Sequence, residues 1–397
     1  MMKGTGELDE LRRRVLRFVE DEVYPLEPEL DRAGRERRRE LMAGLMARAR
    51  AAGLWALGHP VEIGGQGLPF LDYVHVNEVI GRSFYAMQAL GTLSLQDSLM
   101  LHRHASDAWK AGYLHRLVDG STAPSFAMTE PDVASSDPTQ LRTTAVLEDG
   151  EWVVNGRKWF TTGAGDSAFT TVMCLSEPEA PKHERFSLIV VPTDNPGYRI
   201  VRDTPVLGID GGHWEIEFRD ARVPEENLVG PRGGGFRVAQ QRLGPGRIFH
   251  CMRWLGQAQR AFDLMCGRLN ERTAFGEPLS HKQLMQRHVF ESAAEISASR
   301  LLTLDAARKL DAGQEAREEI ALIKVVGARM LHNVIDRAIQ VHGALGLTAD
   351  TPLERMYRHA REARIYDGPD EVHIQSVARR LLARYRKGRG GVDFGCW

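Results

Sequence analysis

The segment that most constrains the fold runs from residue 126 to 164, and its second half alternates as β-strands do. The dipeptides Asp149-Gly150 and Asn155-Gly156 are typical of tight hairpin turns. They predict two turns with a four-residue strand between them. The first half, rich in hydroxyls, small residues and proline, predicts a loop that brings backbone N–H groups and hydroxyls close to a polar heterocycle. One face of the first predicted strand comprises Leu141, Thr143, Ala145 and Leu147.

The rest of the chain divides into helical and β-rich regions. Helical spacing of apolar residues predicts helices from 7 to about 120, and Gly233-Gly234-Gly235 marks the start of a second helical region. The sequence therefore predicts three domains, at 1–120, 121–235 and 236–397. Besides the strands at 141–164, the central region contains three predicted apolar strands: Phe169–Leu175, Phe186–Val191 and Trp214–Phe218.

Composition excludes several classes of function. A net charge of −1 over 397 residues gives no general attraction to nucleic acid or anionic membranes. No run of eighteen apolar residues predicts a membrane span, and no signal-peptide pattern opens the chain. The cysteines lack CxxC spacing and HExxH is absent, so we expect no metal site and a reducing, cytoplasmic location. The cysteines are Cys174, Cys251, Cys266 and Cys396.

The strings FAMTEPDVASSD and NGRKWFTT, which begin at Phe126 and Asn155, resemble the flavin loop of the acyl-CoA dehydrogenases. The segment DVASSD is one residue longer than its family counterpart. Ser135 and Ser136 therefore compete for one role, and we take Ser135 as a cofactor contact and Ser136 as a substrate contact. The resemblance implies an FAD cofactor held in part by Phe126, Met128, Thr129, Phe160 and Thr162.

The same family resemblance implies the fold. It is an α+β multidomain architecture with an N-terminal helical domain, a middle β-barrel or sandwich, and a C-terminal four-helix bundle. The hexad that starts at Glu271 resembles the family's [ER]-R-x-[AT]-F-G, with Gln283 eight positions beyond Phe275. The resemblance implies that Arg272 binds the flavin pyrophosphate and Gln283 the adenosine half, across a subunit interface.

The string from Gln340 to Gly346 resembles the family's Q-x-x-G-G-x-G. By that resemblance Gln340 and Gly343 approach the pyrophosphate of a neighbouring subunit's cofactor. A site shared between chains implies a homodimer, and the family commonly forms a homotetramer as a dimer of dimers.

The segment Ile365–His373 reads IYDGPDEVH, and Asp367 occupies the place of the family's catalytic glutamate. Gly368-Pro369 predicts a helix start, which places Asp367 just outside the positive helix end. That setting favours the ionised carboxylate, whereas an apolar acyl pocket would raise its pKa. Aspartate is shorter than glutamate by roughly 1.5 Å, and a misplacement of that size costs about a hundredfold in rate unless the backbone compensates.

The family resemblance implies further contacts. The alternative family position for the base is Gly246 here, which cannot serve. Arg247 follows it and would lower the pKa of the carboxylate or order the acyl pocket, and the competing interpretation is a surface salt bridge. Asp370 and Glu371 are expected to touch adenosine or solvent. The further contacts that the resemblance implies are Pro369 and Glu371 to the cofactor, and Arg247, Gly368 and Arg379 to the substrate, with Arg379 near the CoA adenine.

The resemblance implies an enzyme of fatty acid β-oxidation and lipid metabolism that dehydrogenates an acyl-CoA thioester. Asp367 would remove the α proton, flavin N5 would take the β hydride, and electrons would pass to an electron-transfer flavoprotein. The combination of MTEPDVASSD, RLGPGRI-x-HCMR and DGPDEVH resembles one branch of the family especially, which in animals is fused to a kinase-like domain and is tied to 4-hydroxyacyl-CoA breakdown. No such domain is expected among these residues.

Alternatives remain open at this point. The same fold hosts nitroalkane oxidases, which also carry an aspartate as base, and flavin monooxygenases that have lost the base. A non-catalytic scaffold that binds acyl-CoA is a third possibility. The sequence leaves open the length, branching and hydroxylation of the acyl group.

Overall fold

The computed structural model describes residues 5–388, which form two compact units. One unit comprises residues 5–41, 69–86 and 244–388, and the other comprises 42–68 and 87–243. The described α-helices are α1 (Thr5–Phe18), α2 (Glu27–Arg32), α3 (Arg35–Ala51), α4 (Phe70–Ile80), α5 (Ala86–Ala89), α6 (Leu95–His104), α7 (Asp107–Trp109), α8 (His115–Val118), α9 (Gly235–Glu271), α10 (Gln283–Asp311), α11 (Arg317–His342), α12 (Leu353–Glu362) and α13 (Asp370–Arg386).

The first unit, hereafter the helical unit, is built around α11. This helix packs against α10, α12 and α13. Burial of apolar side chains at three- and four-residue spacing explains why α11 occupies the centre. Its buried positions include Ile320, Ile323, Gly327, Met330, Leu331, Val334, Ile335, Ala338 and Val341.

Two glycines in the helical unit let α4 and α9 approach closely. A Cβ atom on Gly256 would lie 2.0 Å from the carbonyl oxygen of Glu78. A Cβ atom on Gly81 would lie 2.2 Å from the Cα atom of Arg253. Neither distance is sterically possible, so both positions require glycine as long as the helices keep this separation. The crossing fixes the backbone of the α9 segment that carries Arg253.

The second unit, hereafter the sheet unit, contains an eight-stranded sheet in the order β6-β7-β3-β2-β4-β5-β8, with β1 paired parallel to β4. Apolar clusters around Trp152 and Phe218, and around Trp109 and Phe169, pack against it. The strands are β1 (Pro124–Ala127), β2 (Thr144–Glu148), β3 (Glu151–Thr162), β4 (Phe169–Leu175), β5 (Phe186–Pro192), β6 (Tyr198–Asp203), β7 (His213–Pro224) and β8 (Leu228–Val229), while β9 (Thr273–Ala274) and β10 (Glu277–Pro278) form a hairpin in the helical unit.

The predicted turn at Asp149-Gly150 is confirmed, since β2 and β3 pair antiparallel across it. The predicted turn at Asn155-Gly156 is wrong, because β3 runs without interruption from Glu151 to Thr162. Asn155 and Gly156 form a β-bulge there, with a shift of register against β7. Gly156 has a φ of +147°, and a Cβ atom on it would lie 2.6 Å from Oγ1 of Thr143. Glycine is needed at this position for close packing within a strand.

The predicted order of helices, sheet and helices is confirmed. Strand β4 has the predicted bounds, whereas β7 is longer than predicted and reaches from His213 to Pro224. Strand β6 was not predicted because most of its residues are polar and it lies at the sheet edge. No helix among residues 5–388 is long and apolar enough to cross a membrane.

Candidate active site

A buried ion pair holds the loop at residues 126–137, the segment of the sheet unit that resembles the family's flavin loop. Glu130 and Lys158 have side chains that are 5% and 0% exposed, and their Oε1 and Nζ atoms lie 2.9 Å apart. Lys158 Nζ also donates a hydrogen bond to the carbonyl oxygen of Met128, at 3.0 Å. The Glu130 carboxylate accepts hydrogen bonds from the backbone N–H groups of Arg142 and Thr143, at 2.7 and 2.8 Å. The pair thus anchors the loop to the strands.

Burial alone would raise the pKa of Glu130, but the Lys158 ammonium and the hydrogen bond from Thr143 hold that pKa below its usual range. The carboxylate is therefore ionised at neutral pH. Its neighbours satisfy both oxygens, which makes Glu130 a structural anchor and not a base. The sequence contained the signal, since Glu130 and Lys158 both lie in the motifs quoted above, but their pairing was not predicted.

The loop residues predicted to contact the cofactor lie around this anchor. Phe126 and Met128 are half-buried, and Arg242 stacks over the Phe126 ring at 4.6 Å. The carbonyl oxygen of Thr129 accepts a hydrogen bond from the backbone N–H of Trp159 at 3.0 Å. The Ser135 hydroxyl accepts one from the Glu130 N–H at 3.0 Å, whereas Ser136 is exposed.

The two predicted ring contacts on β3 face outward. Phe160 has a φ of +50° at an irregularity in the pairing with β7, and its side chain is 43% exposed. Thr162 is also exposed, and its hydroxyl lies 3.0 Å from Nδ1 of His213. Nε1 of Trp159, the residue before Phe160, is buried and has no hydrogen-bond partner among the described residues. An exposed ring, an exposed hydroxyl and an unsatisfied donor fit a polar, planar cofactor such as FAD.

The second predicted set of cofactor residues lies on the surface of the helical unit. Phe275 and Gly276 both have positive φ and form the turn of the β9-β10 hairpin, which leaves the Phe275 side chain 98% exposed. Arg272 before this turn and Gln283 at the start of α10 are also exposed. A fully exposed phenylalanine beside a guanidinium and an amide suits binding of a nucleotide ligand across a subunit interface.

The third set lies where α11 ends. Gln340 is exposed on the last turn of α11, and Gly343 follows with a φ of +64° and a ψ of −143°. No heavy atom lies within 4 Å of the place where a Cβ atom would stand on Gly343. The glycine is thus required for the backbone conformation, and the open space beside it admits a ligand.

The predicted helix start after Gly368 is confirmed, since α13 begins at Asp370. Asp367 lies in the turn before it with a φ of +54°, which is uncommon for a residue other than glycine. Its carbonyl oxygen lies 3.1 Å from both Nε of Arg247 and Nε2 of His373. Lys324 Nζ donates to the carbonyl oxygen of Gly368 at 3.2 Å. Several donors thus hold the turn in its strained conformation.

The Asp367 carboxylate itself contacts α9. Its Oδ2 atom lies 3.3 Å from Nε2 of His250, and the two side chains are 22% and 24% exposed. The His250 ring also packs on Tyr366, with centroids 5.0 Å apart, and Nδ1 of His250 lies 2.8 Å from a nitrogen of Arg253. The Tyr366 hydroxyl in turn accepts a hydrogen bond from Nε1 of Trp254 at 2.8 Å.

Arg247 donates a hydrogen bond from Nε to the backbone carbonyl oxygen of Asp367 at 3.1 Å, which places its guanidinium at the turn before α13. Burial lowers the pKa of Arg247, and the nearby Asp367 charge opposes that shift. Lys324 lies fully buried in the middle of α11, and burial lowers its pKa to about 8. Sequence reasoning assigned no role to His250, Arg253 or Lys324, although a histidine and an arginine three positions apart on a helix are a recognisable pair.

The remaining predicted contacts surround the start of α13. Pro369 and Gly368 are half-buried, while Glu371 and Arg379 are exposed on the helix. The expectation that Asp370 touches adenosine or solvent is wrong. Its side chain is 2% exposed, and Oδ2 lies 2.9 Å from Arg364 and 3.2 Å from Arg329. A carboxylate at the first position of a helix fits the positive helix end, so Asp370 stabilises this start.

Three family models match most of the chain. They describe the N-terminal, middle and C-terminal domains of acyl-CoA dehydrogenases, and they match residues 5–121, 125–221 and 233–382. FadE2 of Mycobacterium tuberculosis, named as a probable acyl-CoA dehydrogenase, is 45% identical over 86% of this chain and 85% of its own length. Mouse acyl-CoA dehydrogenase family member 10 is 42% identical over 94% of this chain.

This chain spans only 36% of the family member 10 protein, and 51% of family member 11 from chicken, which is 37% identical. A solved Mycobacterium abscessus structure that carries the acyl-CoA dehydrogenase name is 39% identical and has a TM-score of 0.90. The match covers 97% of this chain and all of that one.

The order of helical, sheet and helical domains is that of the acyl-CoA dehydrogenase fold. The chain belongs to the acyl-CoA dehydrogenase family. Relatives on the suspected branch, family members 10 and 11, are among its matches. Acyl-CoA is the substrate expected of this family.

Proposed function

We propose that this protein dehydrogenates an acyl-CoA thioester between its α and β carbons, with Asp367 as the base. The observation that carries the proposal is the fixed setting of this carboxylate. Its turn is held through the carbonyl oxygens of Asp367 and Gly368, and its Oδ2 atom faces the imidazole of His250. Efficient removal of a proton α to a thioester requires a base that is held at a fixed position relative to that proton.

The protein's own groups supply placement and charge. Asp367 takes the α proton, Arg247 and Lys324 donate hydrogen bonds to the carbonyl oxygens of Asp367 and Gly368, and the positive charges of both lie near the Asp367 carboxylate. FAD, when bound, supplies the acceptor for the hydride that leaves the β carbon. The residues proposed to hold FAD are Phe126, Met128, Thr129, Ser135, Phe160, Thr162, Arg272, Phe275, Gln283, Gln340, Gly343, Pro369 and Glu371, and those proposed to contact substrate are Ser136, Arg247, Gly368 and Arg379.

The proposal includes a homodimer or homotetramer in the cytoplasm and an electron-transfer flavoprotein as electron acceptor. Support for self-association comes from large apolar side chains exposed on the helical unit. Their exposed fractions range from 62% to 98%: Phe275, Leu284, Phe290, Leu301, Leu347, Leu382 and Tyr385. We also propose the three-domain division at 1–120, 121–235 and 236–397.

The test is an anaerobic titration of the purified yellow protein with a panel of acyl-CoA thioesters, followed by loss of flavin absorbance. We expect bleaching by at least one thioester and slow reoxidation of the reduced protein by oxygen. Absence of bleaching by the whole panel, together with rapid reoxidation by oxygen, would point to a nitroalkane oxidase or another flavin oxidase or monooxygenase. A colourless protein that binds acyl-CoA would point to a scaffold.

The base assignment has its own control. Asp367→Asn keeps the size of the side chain and removes the negative charge, so we expect bleaching to slow by about 10²–10⁴-fold. Asp350→Asn makes the same change at an exposed position of the helical unit that has no role in the proposal. Equal bleaching rates in the wild type and in Asp367→Asn would rule Asp367 out.

A further inference from the structure

The function proposed so far places His250 beside the Asp367 carboxylate but assigns the histidine no role in the reaction. We propose that His250 is a positioning residue for the Asp367 carboxylate, and that Arg253 holds its imidazole neutral with the proton on Nε2. The proposal rests on Asp367 acting as the base. It deepens that function by naming the groups that orient the carboxylate.

The state of the imidazole follows from the chemistry of its two neighbours. A nitrogen of the Arg253 guanidinium lies 2.8 Å from Nδ1 of His250, and a guanidinium can only donate hydrogen bonds. Nδ1 must therefore accept, which leaves it without a proton. The proton of a neutral imidazole then resides on Nε2, which lies 3.3 Å from Oδ2 of Asp367. The carboxylate receives a hydrogen bond from a neutral donor.

The charges around the ring agree with this state. Burial and the positive charge of Arg253 lower the pKa of His250 to about 4, against the opposing effect of Asp367. Lys324 on α11 adds a further positive charge, and Arg247 and His373 lie on the other side at the Asp367 carbonyl. The imidazole is therefore neutral near pH 7.

Both partners of the hydrogen-bond chain sit on rigid parts of the helical unit. His250 and Arg253 are one turn apart on α9, and the glycine crossing of α4 and α9 fixes the backbone at Arg253. The aromatic rings of Tyr366 and Trp254 lie beside the imidazole ring of His250. The donor at Nε2 is thus held in one place, which is the requirement for a group that orients another side chain.

A residue that positions Asp367 also compensates for the shorter side chain of aspartate relative to the family's catalytic glutamate. Aspartate reaches less far than glutamate, so an error in its direction cannot be absorbed by a flexible side chain. A fixed donor at one carboxylate oxygen selects a single rotamer and favours the charged form that removes a proton. Removing the donor would let the carboxylate rotate, and a displacement of about 1 Å costs on the order of a hundredfold in rate.

The first test measures His250 directly by nitrogen NMR of the FAD-loaded protein, from pH 5.5 to 8. The signal is assigned by its loss in His250→Gln. We expect a proton on Nε2, none on Nδ1, and no titration in this range. In Arg253→Met the lock on Nδ1 is gone and Asp367 remains, so the pKa of His250 should rise into the measured range. A wild-type ring with the proton on Nδ1, or one that titrates near pH 6.5, would overturn the proposal.

The second test separates positioning from general stability by kinetics of flavin reduction at saturating acyl-CoA. We expect His250→Ala to lower the rate constant by about 10- to 100-fold with little change in substrate dissociation constant. His250→Gln retains an N–H donor near the place of Nε2 and should recover most of that loss. Equal losses in the two variants, or no loss in either, would contradict a positioning role.

The two tests also distinguish failure here from failure of the proposed function. If no acyl-CoA bleaches the wild type, the dehydrogenase assignment fails, while the NMR measurement still decides the state of His250. If wild-type bleaching occurs but His250→Ala reduces as fast as wild type, only the positioning role fails. Wild-type NMR needs no variant that alters Arg253, so a poorly folded Arg253→Met would not block the decision.

Discussion

Two carboxylates in this molecule, Glu130 in the sheet unit and Asp367 in the helical unit, differ in their surroundings. We assign a structural role to Glu130 and a chemical role to Asp367 on the basis of that difference. Glu130 is 5% exposed and is bound by a lysine and two backbone N–H groups. Asp367 is 22% exposed, Arg247 and His373 contact its backbone carbonyl oxygen, and its Oδ2 atom lies 3.3 Å from Nε2 of His250. A buried carboxylate bound by a lysine and two backbone N–H groups anchors a loop, whereas a partly exposed carboxylate on a turn held through its backbone can reach a ligand.

The sharpest test of this comparison neutralises each carboxylate in turn. Asp367→Asn should lower the rate of flavin reduction by about 10²–10⁴-fold and change the free energy of unfolding by no more than about 1 kcal/mol. Glu130→Gln should lower the free energy of unfolding strongly, because Lys158 loses its partner, and should change the rate of flavin reduction little. Stopped-flow reduction and urea denaturation check both variants. A large loss of stability in Asp367→Asn would show that Asp367, like Glu130, is a structural anchor, and would contradict the comparison.

Removal of the cation tests the anchor from its other side. Lys158→Met leaves the buried Glu130 charge without its partner, which costs roughly 3–5 kcal/mol of stability. Lys182→Met is the matched control, since Lys182 is 62% exposed and should change stability by less than about 0.5 kcal/mol. Denaturant unfolding of both variants measures the difference. Similar values for the two would show that the buried pair does not hold the loop.

Substitutions at two glycines test the β-bulge in β3, the strand that contains Lys158. Gly156→Ala would place a Cβ atom 2.6 Å from Oγ1 of Thr143 in a left-handed conformation, so we expect a loss above about 2 kcal/mol. Gly150→Ala meets only the backbone penalty, because no atom lies within 4 Å of its Cβ position, and should cost about 1–2 kcal/mol. Thermal unfolding ranks the two, and a reversed order would contradict the bulge.

The smallest effect concerns pH. The folded-state pKa of Glu130 lies below its unfolded value, so its contribution to stability is present above about pH 4.5 and is lost as pH falls further. Urea unfolding of wild type and Glu130→Gln between pH 3 and 7 checks this. The stability gap between them should narrow at low pH. A gap that stays constant would show that the carboxylate charge is not involved.

The sequence predicted most of the framework because the relevant signals are local. The turn at Asp149-Gly150, strand β4 and the start of α13 after Gly368-Pro369 all depend on neighbouring residues. The bulge at Gly156 was read as a turn because its cause is Thr143, which lies on another part of the chain. Glycine in a strand and glycine in a turn look alike until the packing partner is known.

The site was predicted unevenly for the same reason. Asp367 and Arg247 were found through motif positions, but the contacts of His250 with Arg253 and Asp367 join α9 to a turn more than a hundred residues later. The Glu130–Lys158 pair likewise joins two motifs that sequence reasoning had treated separately. Motifs identify which residues matter, while the polar contacts that decide their roles require the folded chain.

The most direct measurement of the central claim isolates proton removal from hydride transfer. A 3-thia-acyl-CoA has sulfur in place of the β carbon, so exchange of its α hydrogens in D₂O reports the base alone. We predict that the FAD-loaded wild type catalyses this exchange and that Asp367→Asn slows it by about a hundredfold or more. Exchange at the wild-type rate in Asp367→Asn would contradict the assignment of Asp367 as the base.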